Sequence, residues 1–155
     1  MAYDLFLKID GIAGEATKKG HEGSIEIMSF SWGEAAAEDS ATGAAGRVAL
    51  HDISFVSRTS VASPKLALAA AEGTTLTSAT LTEVRANPRG GGELKYLTIK
   101  LTDAIISSYS FQGSESNAAV SERFALNFAK IEISYYKVNS QSSPISVVIS
   151  KLAAD

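Results

Sequence analysis

Ser24-Ile25-Glu26-Ile27-Met28-Ser29-Phe30-Ser31-Trp32-Gly33 alternates apolar and polar residues, the signature of a strand with one covered face. Its apolar side changes part-way. Ile25 and Ile27 share the parity of Ser29 and Ser31, whereas Met28, Phe30 and Trp32 take the other. Such a phase change predicts a bulge, or an end covered on both faces. The pattern recurs in both directions. Leu5, Leu7 and Ile9 share one face of an opening strand that stops at Asp10-Gly11. A strand over 47–58 places Val48 and Leu50 in one phase and Ile53 and Phe55 in the other. Residues 75–86 alternate weakly, and Asn87-Pro88-Arg89-Gly90-Gly91-Gly92 is a turn cluster.

The two longest runs behave the same way. Residues 93–111 keep Leu97, Ile99, Leu101, Ile105, Tyr109 and Phe111 on one parity, and the run exceeds an ordinary strand, so a bend or break is expected near Asp103. Over 121–138, Phe124, Leu126 and Phe128 stand in one phase and Ile131, Ile133 and Tyr135 in the opposite one, which predicts a bulge at Ala129-Lys130. Residues 139–144 read as a polar turn and 145–152 as a last short strand. One helix is punctuated by Ser63 as cap, Pro64 at its first position and Gly73 as its stop, with Leu66, Leu68 and Ala71 inside it. Residues 34–46, rich in Ala, Gly, Ser and acid, have no period and read as a long loop. Several strands, one helix over 64–72 and no βαβ alternation predict a mainly β fold. We expect an antiparallel β-barrel of two packed sheets with one short α-helix, in one domain over 1–155.

Composition removes whole classes of chemistry. The 155 residues contain no cysteine, so disulfides, thiolate metal sites and cysteine nucleophiles are excluded. The net charge of −3 and the scattered Lys and Arg argue against nucleic acid or an anionic membrane as partner. No run is long enough for a membrane span, and Asp4 and Lys8 interrupt the opening apolar stretch. A cleavable signal peptide and membrane insertion are therefore not expected.

No catalytic, cofactor or metal site emerges. His51 and Asp52 are neighbours on a strand and point to opposite faces, and His21 beside Glu22 has no metal-ligand spacing. Both histidines read as hydrogen-bonded structural residues. Gly11-Ile12-Ala13-Gly14 lacks the dinucleotide pattern, Gly90-Gly91-Gly92 lacks the phosphate-loop Lys, and these glycines read as turns needing positive φ. No serine stands in Gly-x-Ser-x-Gly. Phe30 and Trp32 read as core, and Tyr135 and Tyr136 as anchors of a sheet edge, rather than as a stacking platform.

The ordered set Phe6-Leu7-Lys8-Ile9-Asp10-Gly11-Ile12-Ala13-Gly14-Glu15, Lys19-Gly20-His21, Ile25 to Gly33, His51-Asp52-Ile53-Ser54-Phe55, Ser63-Pro64-Lys65-Leu66 and Leu126 to Tyr135 resembles the Hcp family of type VI secretion proteins. Phe30 stands where members often carry a second tryptophan. The resemblance implies a non-enzymatic tube subunit, a homo-hexamer whose rings stack into the tube of a contractile machine. Its partners would be contractile sheath proteins, a spike protein of the VgrG type, and effector cargo held in the pore. Ser29 and Ser31 are then candidates for the pore wall. Glu34, Glu38, Asp39, Ser40, Thr42 and Arg47 are candidates for the segment that touches a neighbouring subunit or ring. The chain would be made in the cytoplasm and leave through the apparatus, and its end at Asp155 leaves no room for the enzymatic domain that some members carry. Two other readings stay open: a phage tail-tube-like protein and a monomeric ligand-binding barrel.

Overall fold

The computed structural model describes residues 3–38, 45–90, 92–113, 120–138 and 140–150. Alternating apolar residues place the strands in the order β1 (Tyr3–Ile9), β2 (Ile25–Ser31), β3 (Glu34–Glu38), β4 (Ala45–Leu50), β5 (Ile53–Arg58), then helix α1 (Ser63–Glu72), β6 (Leu76–Ala86), β7 (Glu93–Gln112), β8 (Ser121–Lys137) and β9 (Ser140–Ser150). The main sheet runs β5-β2-β1-β6-β7-β8-β9, and β5 also pairs with β8. That last pairing closes six strands into an antiparallel barrel and leaves β9 outside it. Closure removes sheet edges that would otherwise be open to association.

The interior is filled by the inward phase of each strand. Leu7, Ile53, Phe55, Leu66, Phe124 and Leu126 have 0% exposure and belong to one cluster. Burial of each such side chain stabilises by about 1.5–3 kcal/mol. Helix α1 adds Leu66 and Ala69 to this cluster, while Leu68 faces solvent. Ser63 does not cap the helix. Ala62 is the capping residue, and Ser63 Oγ instead accepts the Ser60 N–H at 2.9 Å. Gly73 ends the helix in the left-handed region at φ 66°, as its sequence position predicts.

Phase changes mark where the barrel wall bends. In β2 the register shifts between Ile27 and Ser29, so the expected bulge is present. Met28 bears that bulge and is exposed rather than sharing a covered face with Phe30. Strand β7 is not broken, yet Asp103 holds φ 50° and the buried side passes there from Ile99 and Leu101 to Ala104 and Ile106. A second shift, between Ile106 and Ser108, returns Tyr109 to the inner side. Ile105 is consequently exposed, contrary to a single uninterrupted parity, and Phe111 is exposed at the strand's end although it shares the phase of Tyr109. In β8 the buried side moves from Phe128 to Ile131 with no inserted residue, because the β7–β8 register is continuous from Leu97↔Tyr135 to Ile106↔Leu126. The bulge expected at Ala129-Lys130 is absent from this ladder. Both strands turn over together beside Asp103, where β8 stops pairing with β5 and begins pairing with β9.

Three boundaries differ from the sequence reading. Most of the expected loop 34–46 contributes to a two-stranded ribbon, β3–β4, whose Ala- and Gly-rich strands are joined by backbone pairing that leaves no hydrophobic period to read. The expected strand 47–58 is two strands split at His51-Asp52. Strand β9 begins at Ser140 and contains Pro144, which an end strand tolerates because one side of its backbone needs no ladder partner.

The segment between β1 and β2 roofs a smaller cluster of Phe6, Ala16 and Val84 on the outer side of the wall. Backbone bonds Gly14 N–H to Gly23 O (2.8 Å) and Ala16 N–H to Ser24 O (3.0 Å) hold it down. Gly11 has the positive φ (87°) expected of a turn glycine, but Gly14 is needed for another reason. A Cβ there would stand 2.4 Å from the Ser24 carbonyl oxygen.

Candidate functional site

Pairing sets the outward residues of β2, β5, β8 and β7 in transverse rows. Ser31 stands opposite Ser54, Ser54 opposite Ala125, and Ala125 opposite Ser108. The next row is Ser29, Val56, Arg123 and Ser110, and the next is Arg58, Ser121 and Gln112. Between them lie inward rows such as Phe30, Phe55, Phe124 and Tyr109, which pack in or against the core. Ser29, Ser31, Arg58, Arg123, Ser108, Ser110 and Gln112 are exposed. The structure thus puts both predicted serines on one mainly polar wall, with Val56 and Ala125 among its residues.

The wall is pinned at one end by Asp52. Its carboxylate accepts from Asn127 Nδ2 at 2.8 Å and from Ser107 Oγ, the side chain at the β7 bulge. Behind the wall a buried carboxylate does similar work. Glu122, 1% exposed, accepts Ser57 Oγ–H at 2.9 Å and Tyr109 O–H at 2.6 Å. Burial, then the neighbouring Glu122, push the Tyr109 phenol up to about 12. The two donors compensate a carboxylate that would otherwise be strongly destabilising inside the barrel.

The β3–β4 ribbon continues the β2–β5 pair. His51 N–H bonds the Gly33 carbonyl at 3.2 Å, and Trp32 Nε1–H donates to the His51 carbonyl at 2.9 Å. Glu34 pairs with Leu50 at the ribbon's base, Glu38 with Ala45 farther along, and Arg47 lies within β4. Asp39, Ser40 and Thr42 fall outside the described residues. The ribbon therefore gathers three of the six candidates for a contact segment onto one paired element.

The structure gives the two histidines different surroundings. His21 stacks on Phe6 at 4.3 Å, with rings 6° from parallel, and its Nε2 lies 3.4 Å from Glu93 Oε1. Lys18 bridges Asp4 and Glu93, and these carboxylates, Asp4 foremost, raise its ammonium above the usual lysine range. His51 joins the barrel to the ribbon through its backbone. Among the described residues no group of three or more His, Cys, Asp or Glu could hold a metal ion. Among them, too, no helix is long and apolar enough to cross a membrane. Phe30 and Trp32 pack against the core as expected, while Tyr135 meets Tyr96 edge-on at 5.5 Å on the outer side.

Two features escaped the sequence reading. Arg58 and Arg123 share the serine wall because β5 pairs with β8, a contact between segments 65 residues apart at Ser57 and Glu122. Their only sequence signal was membership of the polar phase. The other is the projecting strand β9, which exposes Ile145, Val147 and Val148.

The family described as "Type VI secretion system effector, Hcp" matches residues 6–135, which include β2, β5 and nearly all of β7 and β8. The chain belongs to the Hcp family. Protein hcp1 of Pseudomonas aeruginosa is 33% identical over 138 residues, covering 87% of this chain and 84% of that protein. The crystal structure of Hcp1 from Salmonella typhimurium superimposes with a TM-score of 0.82 at 32% identity, over 97% of this chain and 95% of that one. A type VI secretion system effector from Yersinia pestis follows at 0.78 and 28%, over 96% and 100%. Membership makes this a protein of the type VI secretion system, a class of secreted Hcp proteins, and the barrel is the Hcp barrel.

Proposed function

We propose that this Hcp chain is a non-catalytic tube subunit, one domain whose copies close into a six-membered ring around a pore. The reading is carried by β9, where Ile145, Val147 and Val148 are exposed on a sheet edge. An apolar, unpaired edge favours association, and a heterologous contact that closes on itself yields a ring without leaving the edge open. The polar wall bearing Ser29 and Ser31 then turns to the pore, where small hydroxyl side chains leave room for cargo. The β3–β4 ribbon, with Glu34, Glu38 and Arg47, meets a neighbouring subunit or ring as rings stack head-to-tail.

In this role the tube sits inside a contractile sheath, ends on a spike protein of the VgrG type and carries effectors, with no cofactor, nucleic acid or membrane insertion. The subunit folds in the cytoplasm and leaves through the apparatus. The tightly filled barrel interior supports this over a monomeric ligand-binding barrel, which needs a lumen. Negative-stain microscopy with light scattering tests it. Six-fold annuli and a mass of about six chains are expected, and a uniform monomer at micromolar concentration overturns the reading.

A further inference from the structure

The serine wall carries two arginines on neighbouring strands. Arg58 and Arg123 are exposed, and among the described residues neither forms an ion pair. Arg58 is opposite Ser121, and Arg123 is opposite Val56, so the two arginines are diagonal neighbours on one face of β5 and β8. Diagonal positions on paired strands lie about 7–8 Å apart. A shallow depression of about 340 Å³ opens beside Arg123, lined also by Val56, Ser110, Phe111, Gln112, Ser121 and Glu122, whose carboxylate is taken up by Ser57 and Tyr109. Guanidinium, hydroxyl and amide donors around an aliphatic floor are the equipment for holding carboxylates. The acids nearest the wall are spoken for or set aside: Asp52 bonds Ser107 and Asn127, and Glu122 points inward. Asp4 is paired with Lys18, and Glu26 lines with Asp4 and Arg58 a second hollow, in which Arg58 forms no ion pair among the described residues.

From this geometry we infer that Arg58 and Arg123 form a binding site for an acidic polypeptide segment lying extended across the wall, with carboxylates at every second residue. An extended chain advances about 3.3–3.4 Å per residue, so carboxylates two residues apart match the arginine separation. The inference rests on the reading that this wall faces the pore, and it names the chemistry of what the pore holds. Nucleic acid fits less well, because two guanidiniums set among serines on a net-acidic chain offer few phosphate contacts.

The test uses the purified full chain, its assembly state recorded by light scattering, and fluorescein-labelled peptides read by anisotropy. An alternating Glu-Ser peptide should bind more tightly than one with the same residues in blocks, and a Lys-Ser peptide should not bind. The double variant R58Q/R123Q should weaken the alternating peptide by at least about tenfold. R123K, which keeps charge but not the planar fork, should fall between. Both sites are exposed, and matching circular dichroism melts confirm that the variants fold. Equal binding by wild type and double variant overturns the site. Equal binding of alternating and blocked peptides overturns the register. An oligothymidine that binds more tightly than the acidic peptide at equal salt overturns the choice of partner. If the chain stays monomeric while the arginine-dependent binding holds, the ring reading fails and the site stands. If rings form and the peptide does not bind, only the site fails.

Discussion

Strands β7 and β8 make one long hairpin whose two halves live in different surroundings. The half from Ala104 to Gln112 and from Ser121 to Phe128 belongs to the barrel wall and is sealed by β5. The half paired from Leu97↔Tyr135 to Thr102↔Lys130 carries β9 on its outer side, with exposed Tyr135, Ile145, Val147 and Val148. The same covalent strands thus line the core at both ends but are sealed by β5 at one and edged by β9 at the other. What separates the halves is one residue in a left-handed conformation, Asp103, where the covered side changes. Both halves contribute to the core, the second through Ile99, Leu101 and Ile131, but the exposed apolar edge belongs to the second.

Truncation in the sealed half should have the largest effect. Phe124 is fully buried against Phe55, ring centroids 5.3 Å apart, so Phe124→Ala should cost about 3–5 kcal/mol in urea unfolding. A loss below about 1 kcal/mol would erase the contrast between the halves.

Alkali should act on the sealed half as well. The Tyr109 phenol is raised from its ordinary 10 to about 12 in the folded chain, so the folded state holds a proton that the unfolded state releases. Its contribution is complete below pH 10 and is lost as pH rises towards about 12. Melting temperature should fall through this window, and less steeply in Tyr109→Phe. Equal slopes would show that the buried pair with Glu122 is not what titrates.

At the junction, Asp103→Ala should cost about 1–2 kcal/mol, because a Cβ without a short polar group is disfavoured at φ 50°. Asp103→Gly should be no worse than wild type. The reverse order, measured by denaturant midpoint, would mean that backbone strain does not define the junction.

The open half should show the smallest effect on folding. Val147→Ser, at 51% exposure, should change the stability of the isolated chain by less than about 0.5 kcal/mol. It should nonetheless reduce self-association in sedimentation. A large folding defect with unchanged association would reverse the roles given to the two halves.

How much of this was legible in the chain can be argued residue by residue. The alternation at 24–33 declared a strand, and the parity clash between Ile27 and Phe30 left a bulge or a doubly covered end, of which the structure has the bulge at Met28. The helix and its stop at Gly73 followed from Pro64 and glycine chemistry, and the absence of cysteine closed off thiol chemistry. Ser29 and Ser31 were rightly placed together, since period two alone puts them on one face. The ribbon β3–β4 was read as a loop because pairing between backbones needs no apolar code. The missing bulge at Ala129-Lys130 has a related cause: a phase change in one strand does not reveal whether its neighbour turns over with it.

Local periodicity therefore determined, within each segment, which residues face in and which face out. Sterics make adjacent side chains on a strand alternate, whatever lies beyond. Tertiary structure alone decided which segments meet. Closure of β5 on β8 brings Arg58 and Arg123 onto the serine wall, and Glu122 to Ser57 and Tyr109 behind it. Such partners are distant in the chain, and their pairing is selected by the free energy of the whole closed barrel rather than by any pattern in one strand.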